Sequence, residues 1–489
     1  MKPFKILLFT LAVFLLLAGA ICITPDDGIK IGTFTFFMPT FDEMFGSEKV
    51  EYTDVSEIID IQFDIDSLTI LEEEAILKND AVAEEIARAS YDSLVESIYK
   101  IELTDVARQN LSRFFLHLDS AKSTRIMHYG DSQLEGDRIT AFIRNRFQSK
   151  FGGTGPGLRP VVQPYDYVFS AVQENSPNWK RYPLYGKIDS TVEYNRYGVM
   201  EAFARFAPLT SDTIPFIDSM RYVATFSIKK SNISFARAQE YKHMRLFYGN
   251  SKRPVEMQLF VRDSLILYDT LKANVEYAVY SALLPDSTDE VSIRFIGWDS
   301  PDFYGIELAD TAGIIVDNIA MRGSSGTVFT KNDFVHSTKM YRDLDPALII
   351  LQFGGNVMPY IQDQEAIDQY GRWFISQINR LKLSCPNAAF IVIGPSDMST
   401  KIKDKYVTYE HLPAVVEVLR NAALTTGCGF WDMYNAMGGY NSMPSWVNAE
   451  PELARPDYVH FSTRGARLIS NMFYSALLFE YNNYEEAIK

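Results

Sequence analysis

The sequence predicts an α/β protein in which a doubly wound parallel sheet is interrupted by an antiparallel β-sandwich and preceded by a membrane segment. Three observations carry this. Apolar runs near 126–129, 314–316, 347–351, 388–393 and 430–434 alternate with stretches of helical periodicity. That is the pattern of buried parallel strands joined by crossover helices. Between about 160 and 310 the texture changes to short period-2 runs separated by turn residues, as in a sandwich. An apolar run, Ile6 to Ile23, follows Lys2 and Lys5 at the start of the chain.

Residues 1–24 are read as an export element. Two readings compete: Ala18-Gly19-Ala20 resembles a signal-peptide cleavage site, whereas the 18 apolar residues suffice to span a bilayer as an uncleaved anchor with the lysines inside. The anchor is the reading favoured here, because it uses the whole apolar run. Ile21 is too bulky for a lipoprotein site before Cys22. Either way the bulk of the chain lies outside the cytoplasm. Residues 25–120 read as an extended lead-in followed, from about Ser67 to Leu118, by helix with acidic faces at Glu72, Glu73, Glu74, Glu84 and Glu85. Solvated surface accounts for those carboxylates.

Arg125 to Gly153 is a strand, a sharp Gly130-Asp131-Ser132 turn and an amphipathic helix, with Ile139, Phe142, Ile143 and Phe147 on one face and glycines at its end. The glycine-rich Phe151–Gly157 follows a helix and lacks the lysine of a phosphate-binding loop, so it reads as a flexible active-site rim. Strand-like runs Tyr222–Ile228, Met244–Tyr248, Met257–Val261 and Val291–Ile296 then mark an inserted domain over 161–310. Its aromatics (Trp179, Tyr182, Tyr185, Tyr194, Trp298, Tyr304) are candidates for stacking on sugars, although packing is the commoner use of such residues. The α/β pattern of 121–160 resumes over 311–489, with a final helix after Ser462 as N-cap.

Composition narrows the function. A 489-residue chain with 47% hydrophobic residues can bury large cores, and a formal net charge of −15 argues against nucleic acid as a partner. The three cysteines form no C-x-x-C pair; Cys385 and Cys428 are equally compatible with a disulfide or with buried thiols. A metal site at Asp131, Glu135 and Asp137 fails on spacing.

Chemistry is concentrated at four places. Ser132 ends a buried strand just before a helix, where open α/β sheets put reactive groups. A serine nucleophile needs a base, and the base an orienting group. Of the six histidines, His128 points into the sheet, His117 and His243 sit in periodic segments, and His336 and His411 have no evident carboxylate. His460 follows Asp457 by three residues, in a loop before the last helix. Asn356, after Gly354-Gly355, can offer a side-chain amide to a developing oxyanion, and Gly326 and Ser132 can offer backbone N–H groups.

The order of these motifs, GDS after the first strand, glycine after the second, GxN after the third and DxxH before the last helix, resembles the SGNH/GDSL hydrolase family. The resemblance covers roughly 125–157 and 313–475. It implies a flavodoxin-like three-layer fold, Ser132 as nucleophile, His460 as base, Asp457 as its orienter, and Ser132, Gly326 and Asn356 around the oxyanion, with no metal or organic cofactor. Gln133 replaces the family's usual leucine and Val357 its usual aspartate, which leaves the reaction class in place. The start GDSQ and the β insertion are similar to bacterial O-acetylesterases and acetyltransferases of cell-envelope glycans. The expectation is a serine esterase at the outer face of the inner membrane, removing or transferring O-acetyl groups on an envelope glycan such as peptidoglycan. A glycan-binding scaffold with a vestigial SGNH domain and a lipase or thioesterase are the alternatives.

Overall fold

Strand residues alternate between the two faces of a sheet, so a sheet covered by helices on both sides favours apolar residues at most positions. Five parallel strands follow this, with Arg125, His128, Asp317 and Gln352 as buried polar exceptions: β1 (Thr124–Gly130), β2 (Ile314–Ala320), β3 (Pro346–Gln352), β4 (Ala389–Ile393) and β5 (Gly429–Trp431). The computed structural model containing them describes residues 3–24, 29–31, 34–36, 50–61, 67, 82, 98–118, 123–209, 219–286 and 288–488. The acidic faces expected at Glu72–Glu74 and Glu84–Glu85 lie outside these residues.

Residues 1–51 and 52–489 form separate units. The first contains α1 (Pro3–Ile23), long and apolar enough to cross a membrane, and a short antiparallel hairpin, Ile29–Ile31 with Phe34–Phe36.

In the second unit the sheet order is β2-β1-β3-β4-β5. Met127, Tyr129, Ile349, Leu351 and Val392 face one apolar layer, completed by α4 (Phe334–Leu344), α5 (Gln364–Ser384) and α6 (Leu412–Thr425). Ile126, Leu348, Ile350 and Ile391 face the other, covered by α2 (Asp105–Leu118), α3 (Thr140–Phe151) and α7 (Thr463–Ile488). The Ser462 hydroxyl accepts the Gly465 N–H at 3.1 Å and caps α7. β5 is shorter than its apolar run predicts. The Asp432 carboxylate accepts the Asn435 N–H and caps a short helix, Met433–Ala436, which takes Met433 and Tyr434 out of the strand. Cys385 and Cys428 are buried free thiols.

Between α3 and β2 the chain builds two antiparallel sheets. One has the order Ser264–Leu271, Val255–Val261, Glu290–Gly297, Tyr222–Lys229, Val172–Asn175. The other runs Ala278–Leu283, His243–Gly249, Asp302–Ala309, Ala202–Arg205, Lys180–Pro183, with Gly157–Arg159 also pairing to Asp302–Ala309. Phe226, Met257 and Ile293 of the first share one core with Leu246 and Ile306 of the second. The aromatics singled out in the sequence mostly serve packing. Trp179 meets Phe206, Phe295 and Phe303 edge-on, Tyr182 stacks on Phe203, and Tyr304 is buried. Trp298 is 39% exposed, with the Arg221 guanidinium over its ring.

The glycine-rich segment is not an active-site rim. A Cβ on Gly153 would sit 2.3 Å from the Ile314 nitrogen, and Ile314 pairs with Thr124 at the start of β1. The segment therefore packs at the end of the sheet opposite Ser132, where only glycine permits so close an approach at φ +97°. Beside it Arg125 of β1 donates to both carboxylate oxygens of Asp317 (2.9 and 2.7 Å) and pairs with Glu307 of the sandwich; all three side chains are buried.

Candidate active site

In a 2-1-3-4-5 sheet the winding reverses between β1 and β3, and the crevice beyond their C-terminal ends is the place that topology leaves open for a ligand. β1 delivers Asp131 and Ser132 there, and β3 delivers Gly355 and Asn356. The Asp131 carboxylate accepts the Gln133 N–H at 2.9 Å and caps a 3₁₀ turn, Ser132–Asp137, which stands the serine at the sheet edge. Arg138 braces the turn by donating to the Ser132 carbonyl at 2.7 Å.

The loop before α7 returns to the same place. Ser132 Oγ lies 2.8 Å from His460 Nε2, and His460 Nδ1 lies 2.9 Å from Asp457 Oδ2. The other carboxylate oxygen of Asp457 accepts the N–H groups of Val459 and His460 at 3.0 and 2.9 Å. Partial burial works to raise the Asp457 pKa, and those N–H groups with the imidazole outweigh it, holding the carboxyl below its ordinary range. A carboxylate, an imidazole and a hydroxyl in series is the arrangement that moves a proton off a serine.

Ser132 and His460 face a cleft of about 230 Å³. Asp131, Ser132, Asn356 and His460 form its polar side; Phe353, Pro359, Pro395, Met398 and Met433 its apolar side. Asn356 Nδ2 donates to Asp131 Oδ2 at 3.1 Å and to the Ser324 carbonyl at 3.2 Å. Burial raises the Asp131 carboxyl to about 6 against the opposing Gln133 N–H, His460 and Asn356.

Of the five residues singled out in the sequence, Ser132, His460 and Asp457 are joined by hydrogen bonds, and Asn356 lines the cleft with Ser132 and His460. Gly326 is buried against Phe353, a residue of the cleft wall, and its N–H donates to Ser324 Oγ at 3.2 Å. The carboxylates considered for a metal diverge: Glu135 pairs with Arg322, Asp137 with Arg144, and Asp131 accepts from Gln133 and Asn356. His128 is buried between Gln352 and Thr140, and burial pulls its pKa to about 3. Gln133, to which the motif order assigns no role, donates from Nε2 to the Val459 carbonyl at 2.7 Å and to Ser396 Oγ at 3.3 Å. The signal available was its departure from the usual leucine. Tyr406, on the hairpin Ser399–Ile402 and Lys405–Thr408, stacks on Tyr458 with ring centroids 3.6 Å apart and braces the same loop.

No family model matches the sequence, and no curated protein does. Among solved structures, a peptidoglycan O-acetylesterase matches with a TM-score of 0.59 at 19% identity, over 77% of this chain and 96% of its own. An acetyl xylan esterase matches at 16% identity over 33% of this chain and 80% of its own, with a TM-score of 0.26. A carbohydrate esterase family 2 enzyme with a carbohydrate-binding domain, from Corynascus thermopiles, matches at 11% identity over 53% and 94%, also with a TM-score of 0.26. The chain shares its fold with the peptidoglycan O-acetylesterase, and its resemblance to the SGNH/GDSL hydrolases extends from the order of its motifs to the sheet that carries them.

Proposed function

We propose that this protein is an extracytoplasmic serine esterase that removes, or transfers, O-acetyl groups on a cell-envelope glycan, with α1 as its membrane anchor. The observation that carries the reading is the hydrogen-bonded series Ser132–His460–Asp457 at the switch point of the sheet. Ser132 Oγ attacks the ester carbonyl as its proton passes to His460 Nε2. Asp457 holds the opposite ring nitrogen and stabilises the imidazolium. The Ser132 N–H lies in the first turn of its 3₁₀ helix, where no helix carbonyl can reach it, and it is one donor to the oxyanion. The Asn356 amide is the second, exchanging its Ser324 contact for the substrate. Gly326 joins them only if its N–H leaves Ser324 Oγ. The sugar hydroxyl departs with the proton from His460. Water, activated by the same histidine, then releases acetate, or a second sugar hydroxyl takes the acyl group. A cleft of about 230 Å³ suits a short acyl group better than a lipid chain. The glycan assignment draws on the fold shared with the peptidoglycan O-acetylesterase.

The test is release of acetate from p-nitrophenyl acetate and from O-acetylated peptidoglycan by the full chain in detergent, beside Ser132→Ala and His460→Ala. Turnover by the wild type, and a loss of about 10³-fold or more in both variants, is expected. Equal rates for folded wild type and variants would sink the reading.

A further inference from the structure

Asp131 and Asn356 stand 225 positions apart, after different strands, and meet on the polar side of the cleft. Asp131 is 5% exposed, and its two oxygens serve different partners. Oδ1 accepts the Gln133 N–H at 2.9 Å and so belongs to the turn that presents Ser132. Oδ2 accepts from Asn356 Nδ2 at 3.1 Å. A Cβ on Gly355 would lie 3.8 Å from that same oxygen, so the carboxylate is seated against the turn that carries Asn356. One side chain thus joins the nucleophile's turn after β1 to the amide after β3.

An asparagine amide has a donor end and an acceptor end of nearly equal shape, and its neighbours decide which end faces where. Asn356 Nδ2 lies between two acceptors, Asp131 Oδ2 and the Ser324 carbonyl at 3.2 Å. Half a rotation of the amide would set Oδ1 against both and lose both bonds. The carboxylate is the stronger holder, because a hydrogen bond to an ionised group is roughly twice as strong as a neutral one. Burial raises the Asp131 carboxyl to about 6, which leaves it mostly ionised, and therefore an acceptor, at neutral pH. Its charge opposes a nearby oxyanion, yet it also lies in the field of His460, which turns cationic in the same step. The charge it disfavours and the charge it favours form together.

We infer that Asp131 is a positioning residue for the proposed ester chemistry: its carboxylate fixes the Asn356 amide with Nδ2 held at the turn of Ser132, so that the second N–H of that nitrogen can pass from Ser324 to the oxyanion. This rests on the reading of Asn356 as an oxyanion donor. It gives Asp131 a part in the reaction that capping a turn does not require, since the Gln133 N–H uses only Oδ1.

The test is a double-mutant cycle on p-nitrophenyl acetate hydrolysis by the full chain in detergent, with wild type, Ser132→Ala, Asp131→Asn, Asn356→Ala and the Asp131→Asn/Asn356→Ala pair. In Asp131→Asn the side-chain oxygen still caps the turn at the Gln133 N–H, and the end facing Asn356 becomes a donor. Asn356 must then set donor against donor or rotate its nitrogen away. We expect kcat to fall about 10- to 100-fold with KM changed less than about threefold, as for an interaction made in the transition state. Asn356→Ala is expected to cost about 10²–10³-fold in kcat. Adding Asp131→Asn to it should cost less than about threefold more, because the amide to be positioned is gone. Wild-type kcat in Asp131→Asn, a loss just as large in the Asn356→Ala background, or wild-type kcat in Asn356→Ala would overturn the inference, while Ser132-dependent turnover left the esterase reading standing. Equal rates for wild type and Ser132→Ala would overturn both. Asp131→Ser, which keeps a capping oxygen and removes only the acceptor for Asn356, carries the same cycle if Asp131→Asn does not fold.

Discussion

The side-chain amide of Gln133 donates to the carbonyl of Val459 at 2.7 Å, tying the residue after the candidate nucleophile to the residue before the candidate base. Ser132 and His460 stand 328 positions apart in sequence, which leaves their separation to be set by packing, and this bond spans the gap directly beside them. Gln133→Leu would keep the bulk and lose the tie. A misplacement of about 1 Å can cost 10²-fold in rate. We expect kcat on p-nitrophenyl acetate to fall about 10- to 100-fold while the circular-dichroism melting curve moves by only a few degrees. Unchanged kcat would show that this tie does not set the spacing of Ser132 and His460.

Asp457 holds both the imidazole and two backbone N–H groups of its own loop. Asp457→Ala removes all three contacts, whereas Asp457→Asn leaves an oxygen for the N–H groups and changes what Nδ1 meets. Both are expected to lower kcat by about 10²–10⁴-fold. Asp457→Asn should retain the native melting temperature more closely than Asp457→Ala, measured by calorimetry on the same samples.

Glu201 is buried, and burial raises its carboxyl to about 8 against the hydrogen bond from Asn332. A carboxyl whose pKa is higher folded than unfolded stabilises the fold fully below its unfolded pKa of about 4.5, and that stability is lost as pH rises through about 8. Buried His128 and His336, pulled down to about 3 and 4, act in the opposite sense, but only below about 6.5. The comparison therefore belongs between pH 6.5 and 8.5. The melting temperature of wild type should fall across that range, and that of Glu201→Gln should fall less, because glutamine keeps an acceptor for Asn332 without a charge.

Arg125, Asp317 and Glu307 join the parallel sheet to the sandwich through buried ion pairs. Asp317 also accepts the Leu158 N–H at 2.8 Å. Removing one partner strands the others without water. Asp317→Ala is expected to cost about 3–5 kcal/mol in urea unfolding. A loss within about 1 kcal/mol would mean that water reaches the seam.

The parallel sheet could be read from the chain because each of its features is local. A strand buried on both faces must be apolar throughout, as Leu348–Leu351 and Phe390–Ile393 are, and the helices between them show their buried stripe within three or four turns. The turn at Gly130-Asp131-Ser132 and the cap at Ser462 are also local, since a side chain there bonds to a backbone only a few residues away. Where local signals compete, sequence pattern and structure diverge. Apolar Phe430–Tyr434 looks like one strand, yet Asp432 caps a helix inside it, and the glycine-rich 151–157 looks like a flexible rim, yet Gly153 and Gly155 are wedged against Ile314 and Leu308.

The candidate site divides in the same way. Ser132, Asp457, His460 and Asn356 were marked by residue type and by position at strand ends, which the amino-acid order contains. Their distances were not, and neither were the Gln133 tie, the Asn356–Asp131 bond or the packing of Gly326 against Phe353. Those pairings join residues from tens to hundreds of positions apart, as with Gln133 and Val459. They arise where closely packed layers leave a buried polar group a single partner, or none, and no pattern along the chain encodes that geometry.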